Sequence, residues 1–585
     1  VAGLGDGTNT YNGVAFEAKM HAIKVFGANG STDDNVIIAA LEYAADPNKD
    51  LNLDDQLDVV NLSLGGGYGA PHQMYSEAVK NLVNGGTVMV ASAGNSGHNS
   101  YIVGSPSTSS EAISVAASID YMDHNIMATA ISTMLGDQES VMEAVEAAIS
   151  KKISTIEGDL NEVVVPVGIA DKELSKELSE KVKGKIALID RGSVPFVTKL
   201  EVVKKAGALG AIVANNQAGD AFVMGGDKNI DIPAMMISLA SGNAIKKALK
   251  EGKVVTLNMK SDKKVKKLNI VDTLTDFSSR GPRSGDSLIK PEISAPGFNI
   301  ISAAMGKGAE AVKLSGTSMS GPHMAGVMAL LKQKFPKLST TELKSVVLGT
   351  TVNMSDAKGK MYPIAMQGSG RVDVKRAIEA KALMIPATQS LGEIDVQTKK
   401  VLTTKVLVKN ISTSPLILRP SLLNTDSSKG MISLKTTKSI QLKAGESKEV
   451  RINYLVDITS LKESNVELDG HLLLKDQAGK LVLRSPVLAV VSKQSNVVVT
   501  DKIIHATSKE DDDNALVELK LQNKSANEGK IELFNLLGID KMKVKNDIND
   551  ITRSTDCDLK AAGYRIVEIE GKQVLEVGVK TYRPL

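Results

Sequence analysis

The sequence predicts an α/β protein: a parallel sheet flanked by helices, interrupted by an inserted α+β module and followed by a C-terminal β-sandwich region. Three observations predict it. Residues 1–120 alternate short apolar runs with helical patterns, and those runs end in glycine. The rhythm breaks near Tyr121 and resumes near Ile270. After about Met384, strand-forming runs alternate with turn residues at sandwich-like spacing.

In chain order, Ala18–Phe26 reads as a strand, and Asp33 or Asp34 caps a helix running to about Ala45. Asp58–Leu64 is an apolar strand ending in Gly65-Gly66-Gly67. A helix over Pro71–Val83 stops at Gly85-Gly86. Thr87–Ala93 is a second apolar strand, leading into Gly94-Asn95. This alternation implies parallel strands with helices on both faces, and in such sheets chemistry collects at the carboxyl ends of the strands. The inserted stretch holds a strand at Lys185–Ile189, a helix at Phe196–Ala206, a strand at Ala208–Ala214 and a helix near Gly242–Lys250. Gly316–His323 opens a further helix, and Ser339-Thr-Thr-Glu342 is a capping box. In the β-rich part, Thr403–Asn410, Ser433–Leu442, Lys448–Leu455, Gly470–Leu474 and Leu481–Val491 read as strands. The boundaries expected are 1–120 with 270–380 for the α/β part, 121–269 for the insert, 385–495 for the sandwich, and 496–585 for a further, incomplete β-rich module.

Across its 585 residues the chain is 42% hydrophobic and 23% charged, as an ordinary globular protein is. Aromatics make up only 3% and Trp is absent, so the cores rest on aliphatic residues and the 21 Met. A net charge of +3 argues against nucleic acid or an anionic membrane as the main partner. The basic cluster Lys260–Lys267 is broken by Ser261 and Asp262 and reads as a solvated face. One cysteine, Cys557, allows no internal disulfide. No apolar run has the length of a membrane span, and no signal peptide is visible. Val1 does not read as a natural start, and Thr581–Leu585 reads as a cut.

Three segments carry chemistry. Ser318 lies between Gly316 and Gly321 at the start of a helix. Backbone N–H groups are unpaired there and the helix dipole favours negative charge, which suits a nucleophile and half an oxyanion hole. Read alone, Ser318 is more simply an N-cap. Asn95 follows Gly94 and offers two donors, but alone it is a turn residue. Ser63-Leu64-Gly65-Gly66 could form one wall of a cleft open to an extended chain.

Together these segments resemble the subtilisin family. Gly13–Gly27 looks like the family's strand into a substrate-binding loop, and Asp58–Gly66 like the wall of its primary specificity pocket. Ala91–Gly97 looks like its oxyanion asparagine segment, and Gly316-Thr-Ser-Met-Ser-Gly-Pro-His323 like its nucleophile motif. Phe277–Pro282 and Lys290–Gly297 are also characteristic of it. The resemblance implies a serine-type endopeptidase with Ser318 as nucleophile. Asn95 and the Ser318 N–H would form its oxyanion hole, and Ser63, Leu64, Gly65, Gly66, Ala93 and Gly94 its substrate-binding walls. The insert resembles the protease-associated domain through Val182–Gly192, Ala206–Asn216 and Ile232–Ser238, and the sandwich looks fibronectin-like. Such a protein would act on proteins or peptides outside the cell or in its envelope, and its accessory modules would contact substrate or cell surface. No cofactor is expected for the chemistry and no metal ligand is assigned. The family's structural calcium has no readable site in this sequence.

One departure matters. The family's histidine motif reads His-Gly-Thr-His-Val-Ala-Gly, whereas this chain opens Val1-Ala-Gly3. The catalytic His and Asp are therefore expected upstream of Val1, the sheet is expected to be incomplete at its N-terminus, and the chain is expected to be inactive alone. His21 (mid-strand), His72 and His98 (loops) and His323 (five residues after Ser318) all read as structural. An α/β-hydrolase is disfavoured because Gly316 to Gly321 is one residue too long for a nucleophile elbow. The non-enzymatic alternative is a binding or adhesion scaffold.

Overall fold

The computed structural model describes the chain apart from residues 6–10, 28–29, 72, 193, 218–220, 309, 436–437, 464, 506–515, 526, 528–534, 540–558, 570–571 and 582–585, so His72 and Cys557 lie outside the described residues. There are two compact units, Val1–Asp120 with Asp272–Leu585, and Tyr121–Val271.

The first unit is built on a sheet of four parallel strands, β1 (Val59–Leu62), β2 (Val88–Ser92), β3 (Ile113–Ser118) and β4 (Ile293–Pro296), in that order. Alternate side chains feed two layers. Val88 and Val90 pack with α3 (Thr317–Lys334) and α4 (Thr340–Gly349). Met89 and Ala91 pack on the other face with α1 (Asp34–Ala45) and α2 (Met74–Gly85). This two-sided burial is why the strands read as continuous apolar runs. Gly86 ends α2 in the left-handed region, at φ 113°.

Ala18–Phe26 is a correction: it forms no strand. β1 is the edge of the sheet, and its free side is not paired with this segment, so strand propensity alone is left without a ladder to hold it. Phe16, Met20, Ile23 and Phe26 remain exposed, and His21 is an exposed residue of irregular backbone rather than a mid-strand one.

Beyond Ala380 two sheets, one of four strands and one of five, share a single apolar cluster that includes Val408, Tyr454, Leu472 and Val487. Ser433–Leu442 is not one strand. Ile432–Leu434 joins one sheet and Ile440–Leu442 the other, because the chain crosses between layers there. Further strands follow at Val497–His505 and Leu516–Asn523, which pair, and at Asn535–Ile539, Leu559–Ile569 and Lys572–Thr581.

The second unit is a barrel. Its strand order closes because Val255–Asn258 pairs with Asn161–Val163 on one side and Ser132–Leu135 on the other. Ile131, Ile186, Leu188 and Ile212 fill one core, while the helices Lys176–Val182 and Phe196–Lys205 cover a second.

Candidate active site

Because β1 and β2 run parallel in register, with Leu62 opposite Ala91, both end at one rim. Past β1 come Ser63 to Gly66; past β2 come Ala93, Gly94 and Asn95. α3 begins beside them, with Gly316 N–H donating to Gly297 O beyond β4 (2.8 Å). The structure thus brings together three segments whose hydrogen-bonding residues lie 222 and 255 positions apart.

Ser318 is the second residue of α3, so its N–H lies ahead of the helical hydrogen-bond ladder. Its hydroxyl donates to Ser63 O at 3.5 Å, and Ser63 Oγ donates to Ser318 O at 2.8 Å. Asn61 Nδ2 in turn donates to Ser63 Oγ at 2.9 Å. Asn95 is fixed by its carbonyl end, for Oδ1 accepts from the Thr317 N–H (2.9 Å) and the Thr317 hydroxyl (3.0 Å). Its Nδ2 makes no hydrogen bond among the described residues. A Cβ placed on Gly316 would stand 3.3 Å from Asn95 Nδ2 and 3.6 Å from Ser318 N. Two donor nitrogens thus lie close to the same side of Gly316, at the positive end of a helix dipole.

The remaining predicted residues fall into different roles. Gly66 N–H donates to Ser105 O (3.0 Å), and a Cβ on Gly65 would meet that same oxygen at 2.6 Å. The Leu64 side chain packs into the cluster beneath α1 and α2. Ala93 is fully buried, and Gly94 has φ 111°. Thr317, Asn61 and Ser279 are polar partners that sequence reasoning gave no role. The paired serines of Phe277–Pro282 were a visible signal, but nothing in the sequence says what they touch.

Among the described residues, Ser63 O is the only partner of the Ser318 hydroxyl, and no imidazole reaches it. His323 is half-buried, and desolvation lowers its pKa; its Nδ1 lies 3.1 Å from Met319 O. His98 Nε2 lies 3.1 Å from Thr275 O. No group of three His, Cys, Asp or Glu side chains among the described residues could hold a metal ion.

Residues 1–371 match the family model described as Subtilase family. The chain belongs to the subtilase family. Among curated subtilase relatives it is 31% identical to the minor extracellular protease Vpr of Bacillus subtilis over 509 residues, covering 86% of this chain and 59% of that protein. It is 31% identical to the subtilisin-like protease SBT1.6 of Arabidopsis thaliana, over 63% of this chain and 49% of that one. It is 30% identical to a C5a peptidase of Streptococcus pyogenes, over 62% of this chain and 32% of that one. The chain thus spans from about a third to three fifths of the length of these relatives. As for membranes, no described helix of this subtilase chain is long and apolar enough to cross one.

Proposed function

We propose that the chain is the nucleophile-bearing part of a serine endopeptidase that hydrolyses peptide bonds in proteins. Ser318 attacks the scissile carbonyl, and Asn95 Nδ2 and the Ser318 N–H hold the resulting oxyanion. One observation carries this reading: Thr317 occupies Asn95 Oδ1 and leaves Nδ2 unpaired beside the Ser318 N–H, across the space at Gly316. A turn asparagine with no further task would not need both its backbone neighbours and its carboxamide fixed. The strand ends Ser63–Gly66 and Ala93–Gly94 form the walls along which an extended substrate lies. Among the described residues no imidazole bonds Ser318, and on this reading the general base and its orienting carboxylate are supplied by residues other than those described. The insert acts as a protease-associated module and the sandwich as a fibronectin-like one, both contacting substrate or cell surface. The names of the relatives, an extracellular protease among them, support a place outside the cell or in its envelope.

The test is direct. The 585-residue chain alone should show background turnover of a peptide substrate, and the full-length protein containing it should be active. Ser318→Ala should return the full-length protein to background, because without base and nucleophile together the hydroxyl stays a weak attacker. Activity surviving Ser318→Ala sinks the nucleophile assignment; strong activity of the bare chain sinks the missing base.

A further inference from the structure

Asn95 can serve as an oxyanion donor only if its backbone holds still, and strand β2 has already ended at Ser92. The segment that holds it comes from far along the chain. The Ser279 N–H donates to Gly94 O at 2.9 Å, and Ser279 Oγ accepts the Ser96 N–H at 3.0 Å. The two peptide planes that meet at the Asn95 Cα are therefore both held by one residue. Ser279 is 1% exposed, so no water competes for its hydroxyl. The fit is close: Gly94 has φ 111°, and a Cβ there would stand 2.8 Å from Ser279 Oγ. Neighbouring bonds continue the brace, with Gly97 N–H to Phe277 O (2.9 Å) and Arg280 N–H to Gly97 O (3.2 Å). The Arg280 guanidinium is itself pinned by Glu467 at 2.6 Å.

We infer that Ser279 is a positioning residue for the reaction, fixing the backbone of Asn95 while Thr317 fixes its carboxamide. The inference rests on the oxyanion role proposed for Asn95. Ser279 touches no reacting atom. It aims a donor at charge that develops only in the transition state, so its loss should appear in kcat and not in KM.

The experiment is a double-mutant cycle in the full-length protein, with kcat and KM measured per titrated active site. Ser279→Ala should lower kcat about tenfold and leave KM within about twofold. In an Asn95→Ala background the same change should cost nothing further, because the donor it positions is gone. Ser279→Cys keeps the branching with a larger sulfur that is a weak acceptor, so it should shift kcat in the same direction even if the alanine variant folds poorly. Equal losses in both backgrounds overturn the inference, as does an unchanged kcat in the alanine and cysteine variants while Asn95→Ala is impaired. If Asn95→Ala itself turns over normally, the oxyanion reading falls and takes this inference with it.

Discussion

The first unit contains two polar regions of opposite character. At the rim Ser318 and Ser63 are half-buried and Asn95 is exposed, and Asn95 Nδ2 makes no hydrogen bond among the described residues. At the joint between the parallel sheet and the sandwich the groups are buried, and most of their polar atoms are paired within the protein. Asp469 accepts the Ile364 N–H at 2.7 Å and the Ser428 hydroxyl at 2.9 Å. His471 Nε2 donates to Ser369 O at 3.1 Å, and Arg484 to Thr351 O at 3.2 Å. Close by, Glu292 receives the Lys290 and Lys344 ammoniums at 3.1 and 2.8 Å. A buried polar group without a partner costs stability, so burial favours pairing at the joint, with His471 Nδ1 and Arg484 Nε left over. At the rim water can substitute until a substrate arrives, so donors can stay free. Mutations at the joint should therefore read out as stability, and mutations at the rim as turnover.

The largest break in that contrast would come from Glu292. Its carboxylate is 2% exposed, and Lys290, whose pKa burial pulls down to about 7, is fully enclosed. Glu292→Gln keeps the shape but removes the carboxylate that pairs with both Lys290 and Lys344. The expected loss is about 3–5 kcal/mol, measured as a fall in the urea midpoint at constant slope. kcat per titrated site should be unchanged. A loss below about 1 kcal/mol would mean that this cluster is no more than a surface ion pair.

At the rim, Asn95→Leu should do the reverse. Its effect should be about 3 kcal/mol on the transition state, with the melting temperature and KM little moved. That size is borrowed from subtilisin, where losing such a donor lowers turnover about 100- to 1,000-fold. Active-site titration separates the outcomes. Titrated sites that turn over at the parental rate would make Asn95 a turn residue.

The same contrast explains what the sequence disclosed. β2 was legible because it is buried throughout, which favours an unbroken apolar run, and β1 because Val59, Val60 and Leu62 give a short apolar run ahead of Gly65. The capping box at Ser339 was legible because it is local: Ser339 N–H to Glu342 Oε2 at 3.0 Å, and Glu342 N–H to Ser339 Oγ at 3.3 Å. Ala18–Phe26 misled because strand propensity says nothing of whether a partner strand is adjacent. Leu416–Asn424 was hidden by Pro420, which the sheet tolerates because pairing to Ile440–Leu442 stops at Leu418. Closure of the barrel by Val255–Asn258 left no local mark either. Ser318 and Asn95 stood out as part of motifs, but their supports did not. Ser279 meets Ser96 across 183 positions, and nothing in a serine's neighbours announces such a contact.

The smallest expected effect sharpens the contrast through pH. His471 is fully buried, its Nδ1 is buried without a partner, and Arg484 adds positive charge nearby. Burial first, and Arg484 second, hold its pKa well below 6.5. The folded form therefore refuses a proton that the unfolded chain accepts near pH 6.5. Proton uptake by the unfolded state alone means that stability is kept above about pH 6.5 and lost as pH falls below it, by at most about 1.4 kcal/mol per pH unit. Asp469 and Glu467 work the other way. Burial raises both their pKa values, so the folded form takes up their protons first and gains relative stability on acidification. Comparing the parent with His471→Gln, which keeps a donor for Ser369 O, isolates the histidine from that opposing pair. Urea midpoints at about pH 7 and about pH 5.5 should differ more in the parent than in the variant. At both pH values kcat per titrated site should be the same for the two proteins, since the joint holds no reacting group. A variant that loses as much stability as the parent on acidification would show that the buried imidazole is not the acid-sensitive element of the joint.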